Sequence, residues 1–274
     1  MKGAFRTLGD GLFAPTLLSV GPWSPHLAHG GPPSGLAAQK LHEAGVTLFG
    51  SASHLSRLTV ALARPVRIPS VVRVAVESVS VGKNSAHLTA TISNAEDLKA
   101  LFICTGLVVK TAPMTVPYVS EKYLAPKRAA DSEPIRFWDK FAPEAYDDLV
   151  EMRLAEGELG NSRHGPTAVW MRMVHRLIEG ENPERLCGMA QVAVLADSAN
   201  GIAMTLSQRD YTFANSDLSI SLFRAPRTEW VCLRAKTHVT EHGTGMVDAQ
   251  LFDEDGMIGR ATQNQVISQR NHSN

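Results

Sequence analysis

The segment Ser56–Val72, SRLTVALARPVRIPSVV, and the segment Ser216–Cys232, SDLSISLFRAPRTEWVC, align without a gap. Leu58 meets Leu218, Val60 meets Ile220, Leu62 meets Leu222, Arg64 meets Arg224 and Arg67 meets Arg227. In both segments apolar side chains recur at every second position, the period of a strand with one buried face. After a one-residue deletion the match continues from Ala90-Thr91-Ile92 to Ala249-Gln250-Leu251, and from Leu107 to Val266. One unit therefore occurs twice. A unit of roughly 110–130 residues is of ordinary domain size and far longer than a solenoid repeat.

Each copy reads as an opening strand, a helix and a run of longer strands. Val71–Val81, Ala86–Ile92 and Leu101–Val109 are the predicted strands of the first copy. Val231–Val239, Met246–Phe252 and Ile258–Ile267 are those of the second. Gly82-Lys83-Asn84, Gly243-Thr244-Gly245 and Asp255-Gly256 supply the turns. The first helix is expected to start near Gly30-Gly31-Pro32-Pro33, because proline suits a first turn, and to run through Leu36, Gln39 and Leu41 to Ala44. The second is expected to start at Asp197-Ser198, with Asp197 as N-cap, and to run through Ile202 and Leu206. The expected division is an N-terminal unit over 1–112, a linker over 113–145 and a C-terminal unit over 146–274. The linker carries Pro113, Pro117, Pro126, Pro134 and Pro143. Phe137, Trp138 and Phe141 predict that it wraps against the protein, since a free tether would leave three rings in water.

Composition narrows the classes of function. An apolar fraction of 44% and a charged fraction of 20% across 274 residues describe a globular chain with a sizeable core. The 27 basic and 27 acidic side chains cancel, so no global field attracts nucleic acid or an anionic membrane. Cys104, Cys187 and Cys232 are odd in number and lack CxxC spacing, which points to reduced thiols and a cytoplasmic setting, with no metal site. The first twelve residues lack the apolar run of a secretory signal, and no stretch is long enough to cross a bilayer.

Short motifs in a fixed order carry a resemblance. They are His29-Gly30-Gly31, Val169-Trp170-Met171-Arg172, Leu195-Ala196-Asp197, Asn215-Ser216-Asp217-Leu218-Ser219, Arg224-Ala225-Pro226, Glu229-Trp230 and Ala261-Thr262-Gln263. In these the chain resembles the acyl-CoA thioesterase II family. The resemblance implies an α+β fold, a double hotdog of two fused units, each a long helix on a continuous antiparallel sheet. It also implies hydrolysis of an acyl-coenzyme A thioester in fatty acid metabolism, without cofactor, by a homodimer or larger homo-oligomer. The implied catalytic set is an aspartate, a threonine or serine, and a glutamine. Asp197 and Gln263 match two of these positions, whereas Asn215 stands where the hydroxyl residue is expected.

Thioester hydrolysis needs a base for water and donors for the developing oxyanion. An aspartate such as Asp197 is a suitable base, while the amides of Asn215 and Gln263 can position water or the carboxylate. Backbone N–H groups near Gly30-Gly31 or near Asp197-Ser198 could meet the carbonyl oxygen. His29 reads as a structural donor to a loop carbonyl. Arg224 and Arg227 are weaker candidates for coenzyme A phosphate, because Arg64 and Arg67 repeat them in the first copy. Carried back through the repeat, Asp197, Asn215 and Gln263 fall on Gly31, Leu55 and Cys104, so one site per chain is expected, built mainly from the second copy. A hotdog hydratase would have a histidine five positions after the aspartate, where Ile202 stands. The alternative of another class is a catalytically weak acyl-binding or assembly protein.

Overall fold

The computed structural model describes residues 2–117, 123, 125–136 and 142–270. The first half supplies β1 (Gly3–Gly9), β2 (Leu12–Pro15), α1 (Gly31–Phe49), β3 (Ser53–Leu62), β4 (Val72–Val81), β5 (Ser85–Asn94) and β6 (Ala100–Lys110). From the second half come β7 (Glu133–Ile135), α2 (Tyr146–Leu149), β8 (Val150–Glu156), β9 (Thr167–Met173), β10 (Arg176–Ile178), α3 (Gly188–Ala196) and α4 (Ala199–Ile202). They are followed by β11 (Tyr211–Asn215), β12 (Asp217–Leu222), β13 (Val231–Val239), β14 (Thr244–Asp253) and β15 (Gly256–Gln269). All the strands join one sheet in the order β10-β1-β2-β4-β5-β6-β3-β12-β15-β14-β13-β9-β8-β7, with β11 also on β15.

The order is symmetric about the β3–β12 seam. Leu218 pairs with Val60 there, and Ile220 with Leu58. All four side chains are fully buried, as the two-residue period requires. Burying such a side chain contributes about 1.5–3 kcal/mol. The sheet departs from the antiparallel expectation at one edge, where β10 runs parallel to β1. There the second half covers an edge that the first half would expose.

The helix α1 begins at Gly31 with prolines in its first turn and ends at Gly50, whose φ is 64°. Its glycines set the distance to α3: a Cβ on Gly31 would strike Val194 O, and one on Gly35 would strike the Val194 side chain. The second helix differs from the sequence expectation. Asp197 does not start it but closes it, with φ −62° and ψ −18°, and the N-cap is Cys187, whose Sγ accepts from Ala190 N–H at 3.3 Å. Every residue from Val192 to Ala196 is buried, so α3 has no polar stripe by which periodicity could mark it. The carboxylate of an aspartate just before a short apolar turn looks like a cap from sequence. One turn, α4, does follow it.

The ladders also correct the pairing of the last strands. Cys104 pairs with Ala90 and Val60, whereas Ala261 pairs with the equivalent Ala249 and Ile220. Gly106, not Cys104, therefore stands opposite Gln263. The connection from β5 to β6 spans residues 95–99 against Glu254-Asp255 in the second half, a length difference that a gapless alignment hides. Counted from the helix starts, Asp197 stands opposite Lys40 rather than Gly31.

Within the linker, β7 pairs with β8, Ala129 is buried and Trp170 Nε1 donates to Lys127 O at 2.6 Å. Phe137, Trp138 and Phe141 lie outside the described residues. Among the described residues no helix is long and apolar enough to cross a membrane, and no cluster of His, Cys, Asp or Glu could hold a metal.

Candidate active site

Four separate elements converge on the Asp197 carboxylate. Asp197 ends α3, Asn215 ends β11, Gln263 lies on the inner face of β15, and His29 and Gly30 precede α1. Asn215 Nδ2 and Gln263 Nε2 each donate to Asp197 Oδ1 at 3.2 Å. Both amides also reach Asp197 O, at 3.4 Å and 3.2 Å. The carboxylate is only 6% exposed. A charge buried to this degree persists only when donors replace its water. The α3 dipole gives no help, because its C-terminal end is the negative one.

The other oxygen, Oδ2, faces the start of α1. A Cβ on Gly30 would lie 2.8 Å from it and 2.9 Å from Leu62 Cδ2, so the close approach requires glycine here. His29 Nδ1 is 3.2 Å from Oδ2 and also accepts from Gly31 N–H at 3.0 Å. With Nδ1 accepting, a neutral ring carries its proton on Nε2. Its ring stacks on Tyr146 with centroids 3.9 Å apart, and Tyr146 Oη donates to Val194 O at 2.8 Å and lies 3.0 Å from Ser198 Oγ. Burial pushes the His29 imidazole below its ordinary value, against the opposing pull of Asp197. Nδ1 cannot both accept from Gly31 and donate to Asp197 in one protonation state. A proton gained by Oδ2, however, would find an acceptor in Nδ1.

The helix-terminal donors near Gly30-Gly31 are fewer than the sequence suggests. Gly31 N–H goes to His29, Pro32 and Pro33 have no N–H, and Ser34 N–H returns to Gly30 O. Among the described residues no hydrogen bond from the Gly30 N–H to the protein is seen.

Arg224 and Arg227 are not brought to this cluster. Arg224 holds the fully buried Asp253 through two bonds of 2.5 Å and 2.6 Å, and Arg227 N–H donates to the same carboxylate at 2.9 Å. Burial alone would raise the Asp253 carboxyl, yet the bonds from Arg224 and Arg227 bring it below its ordinary value. This lock sits at the β14–β15 turn, seven residues along the strand from Gln263, on the order of 20 Å away. The Arg227 side chain is exposed.

Sequence reading singled out neither Tyr146 nor Gln265, and it left His29 out of the catalytic set. The available signal was position: His29 adjoins the Gly-Gly pair, and Gln265 shares the inner face of β15 with Gln263 two residues earlier.

Two family models match, one describing an acyl-CoA thioesterase N-terminal domain over residues 19–110, the other an acyl-CoA thioesterase C-terminal domain over residues 125–267. No curated protein matches significantly. Among solved structures, a candidate thioesterase from Novosphingobium aromaticivorans is 17% identical with a TM-score of 0.67, covering 97% of this chain and 99% of that one. A hot dog fold protein from Alicyclobacillus acidocaldarius is 15% identical with a TM-score of 0.69, covering 97% and 96%. An acyl-CoA thioesterase II from Mycobacterium marinum is 13% identical with a TM-score of 0.67, covering 97% and 96%. These likenesses show the hot dog fold, and the two family models, following one another along nearly the whole polypeptide, show that the chain belongs to the acyl-CoA thioesterase family.

Proposed function

We propose that the protein hydrolyses an acyl-coenzyme A thioester to the free acid and coenzyme A, as two fused hotdog units with the division 1–112, 113–145 and 146–274. The observation that carries this reading is the convergence of Asn215, Gln263 and His29 on one buried carboxylate, each at 3.2 Å. Two amides hold Oδ1 in place, leaving Oδ2 as the basic atom. Water between Oδ2 and the thioester carbonyl loses its proton to Asp197 as the new C–O bond forms. A backbone N–H near Gly30-Gly31 or near Asp197-Ser198 meets the carbonyl oxygen as it gains charge in this reading. The tetrahedral adduct then expels the coenzyme A sulfur, breaking the C–S bond, and the proton held by Asp197 and accepted by His29 Nδ1 returns to the thiolate. Asn215 supplies a donor where a hydroxyl residue was expected from the resemblance. Its Nδ2 reaches the same two oxygens as the Gln263 amide, which supports a positioning role.

Release of free thiol from a panel of acyl-CoA thioesters tests this. Asp197→Asn keeps the shape and removes the base, so turnover should fall by about 10²-fold or more. Gln263→Ala should cost less, and Asn215→Thr should retain activity. Wild-type turnover in Asp197→Asn would remove the assignment. Binding of acyl-CoA without any thiol release would favour the acyl-binding alternative.

A further inference from the structure

The buried glutamines among the described residues differ in how far their amides are engaged, and Gln263, bonded through Nε2 alone, stands between two extremes. Gln39 is fully engaged: its Nε2 donates to Arg185 O at 3.0 Å and its Oε1 accepts from Cys187 N–H at 2.9 Å. Gln265 is 3% exposed, yet among the described residues neither its Nε2 nor its Oε1 has a partner. A glutamine that served only to brace the fold would resemble Gln39, because an unpaired buried amide is costly.

The sheet register shows what Gln265 faces. It pairs with Gly245 on β14 and with Asn215 on β11, two pairs beyond the row that joins Gln263 to Val247 and Thr237. It therefore lies about 7 Å along β15 from the residue that holds Asp197, on the same face. A Cβ on Gly245 would come within 2.9 Å of Gln265 Oε1, so the amide reaches across the glycine toward β13. On β13 the inward-facing Thr237 is 6% exposed and its Oγ1 also lacks a partner. Around these two polar groups the same face is apolar, with Val247, Phe213 and Ile267 buried. An apolar lining with a few unengaged polar groups is how a pocket fixes the orientation of a ligand that is mostly hydrocarbon.

We infer that Gln265 and Thr237 form a substrate contact for a hydroxyl, keto or amide group on the acyl chain, so that the preferred substrate is a polar-substituted acyl-CoA rather than a plain one. The inference rests on the thioesterase reading of Asp197. The pantetheine arm carries amides of the same chemistry, but the apolar lining and the burial of both side chains favour the acyl group.

Matched acyl-CoA thioesters of equal length, plain or bearing a hydroxyl or keto group at successive carbons, test the inference by kcat/KM. Wild type should prefer one substituted member over its plain partner by about tenfold or more, and Gln265→Leu should abolish that preference. Thr237→Val, which keeps the shape and deletes the hydroxyl, should weaken it. Indifference of the wild type to substitution would overturn the inference, as would a preference that survives in Gln265→Leu. An equal loss in Gln265→Leu for every acyl group would also overturn it, by assigning the contact to pantetheine. Absence of turnover with every member would instead defeat the thioesterase reading, separately from this one. Should Gln265→Leu fail to fold, the wild-type preference and Thr237→Val decide.

Discussion

At the scale of single residues, the central fact is a carboxylate whose two oxygens have different surroundings. Oδ1 is saturated by amide donors and Oδ2 is left beside a glycine and an imidazole. His29 is the titratable part of that arrangement. Burial lowers its proton affinity in the folded protein, so the unfolded chain binds more protons than the folded one once pH drops below about 6.5. The stability that neutral His29 contributes is present above that pH and is lost as pH falls toward the depressed folded value. Thermal melts of wild type and His29→Gln between pH 5 and 8 check this: the wild-type advantage should be largest at pH 8 and shrink steadily toward pH 5. A gap independent of pH would show that His29 does not titrate in this window.

At the scale of elements, α3 places Asp197, and Cys187 caps α3. Its Sγ accepts from Ala190 N–H, while its own N–H donates to Gln39 Oε1 on α1, so the cap also ties the two helices together. Burial pushes the Cys187 and Cys104 thiols up to about 12 each, which keeps them neutral. Cys187→Ala removes the cap and should destabilise the protein by about 1 kcal/mol, read as a lower denaturant midpoint. Cys187→Ser should lose less, since a hydroxyl can accept the same bond. The strands of both halves were legible because alternation is a local pattern, and the observed β4 and β13 begin within a residue of their predicted starts. The α3 boundary was not. A helix whose last five residues are all buried shows no amphipathic period there, and the cap is a cysteine rather than the Ser, Thr, Asp or Asn that sequence reading looks for.

At the scale of the whole molecule, the two halves share a seam and a plan but not the polar trio. The first-half counterparts of Asp197, Asn215 and Gln263 are Lys40, Leu55 and Gly106. None can hold water beside a base. A Cβ on Gly106 would meet Leu55 Cδ1 at 3.0 Å and Leu41 Cδ1 at 3.1 Å, so hydrocarbon fills the place that the second half keeps polar. Calorimetric titration with a non-hydrolysable acyl-CoA analogue should therefore give one tight site per chain, and two equal sites would contradict this asymmetry.

By itself the sequence determined the duplication, the strands, the polar trio of Asp197, Asn215 and Gln263, and the family whose motifs they follow. The duplication and the strands are written in residue spacing along short stretches, whereas the trio is what the family resemblance implied, with Asn215 in the place of its hydroxyl residue. Only the tertiary structure decided that Asp197 closes its helix, that His29 faces its free oxygen, that Gly106 rather than Cys104 matches Gln263, and that Arg224 is committed to Asp253. These depend on which side chains meet across elements distant in sequence, and on strand register. Connection length shifts that register without changing any local pattern.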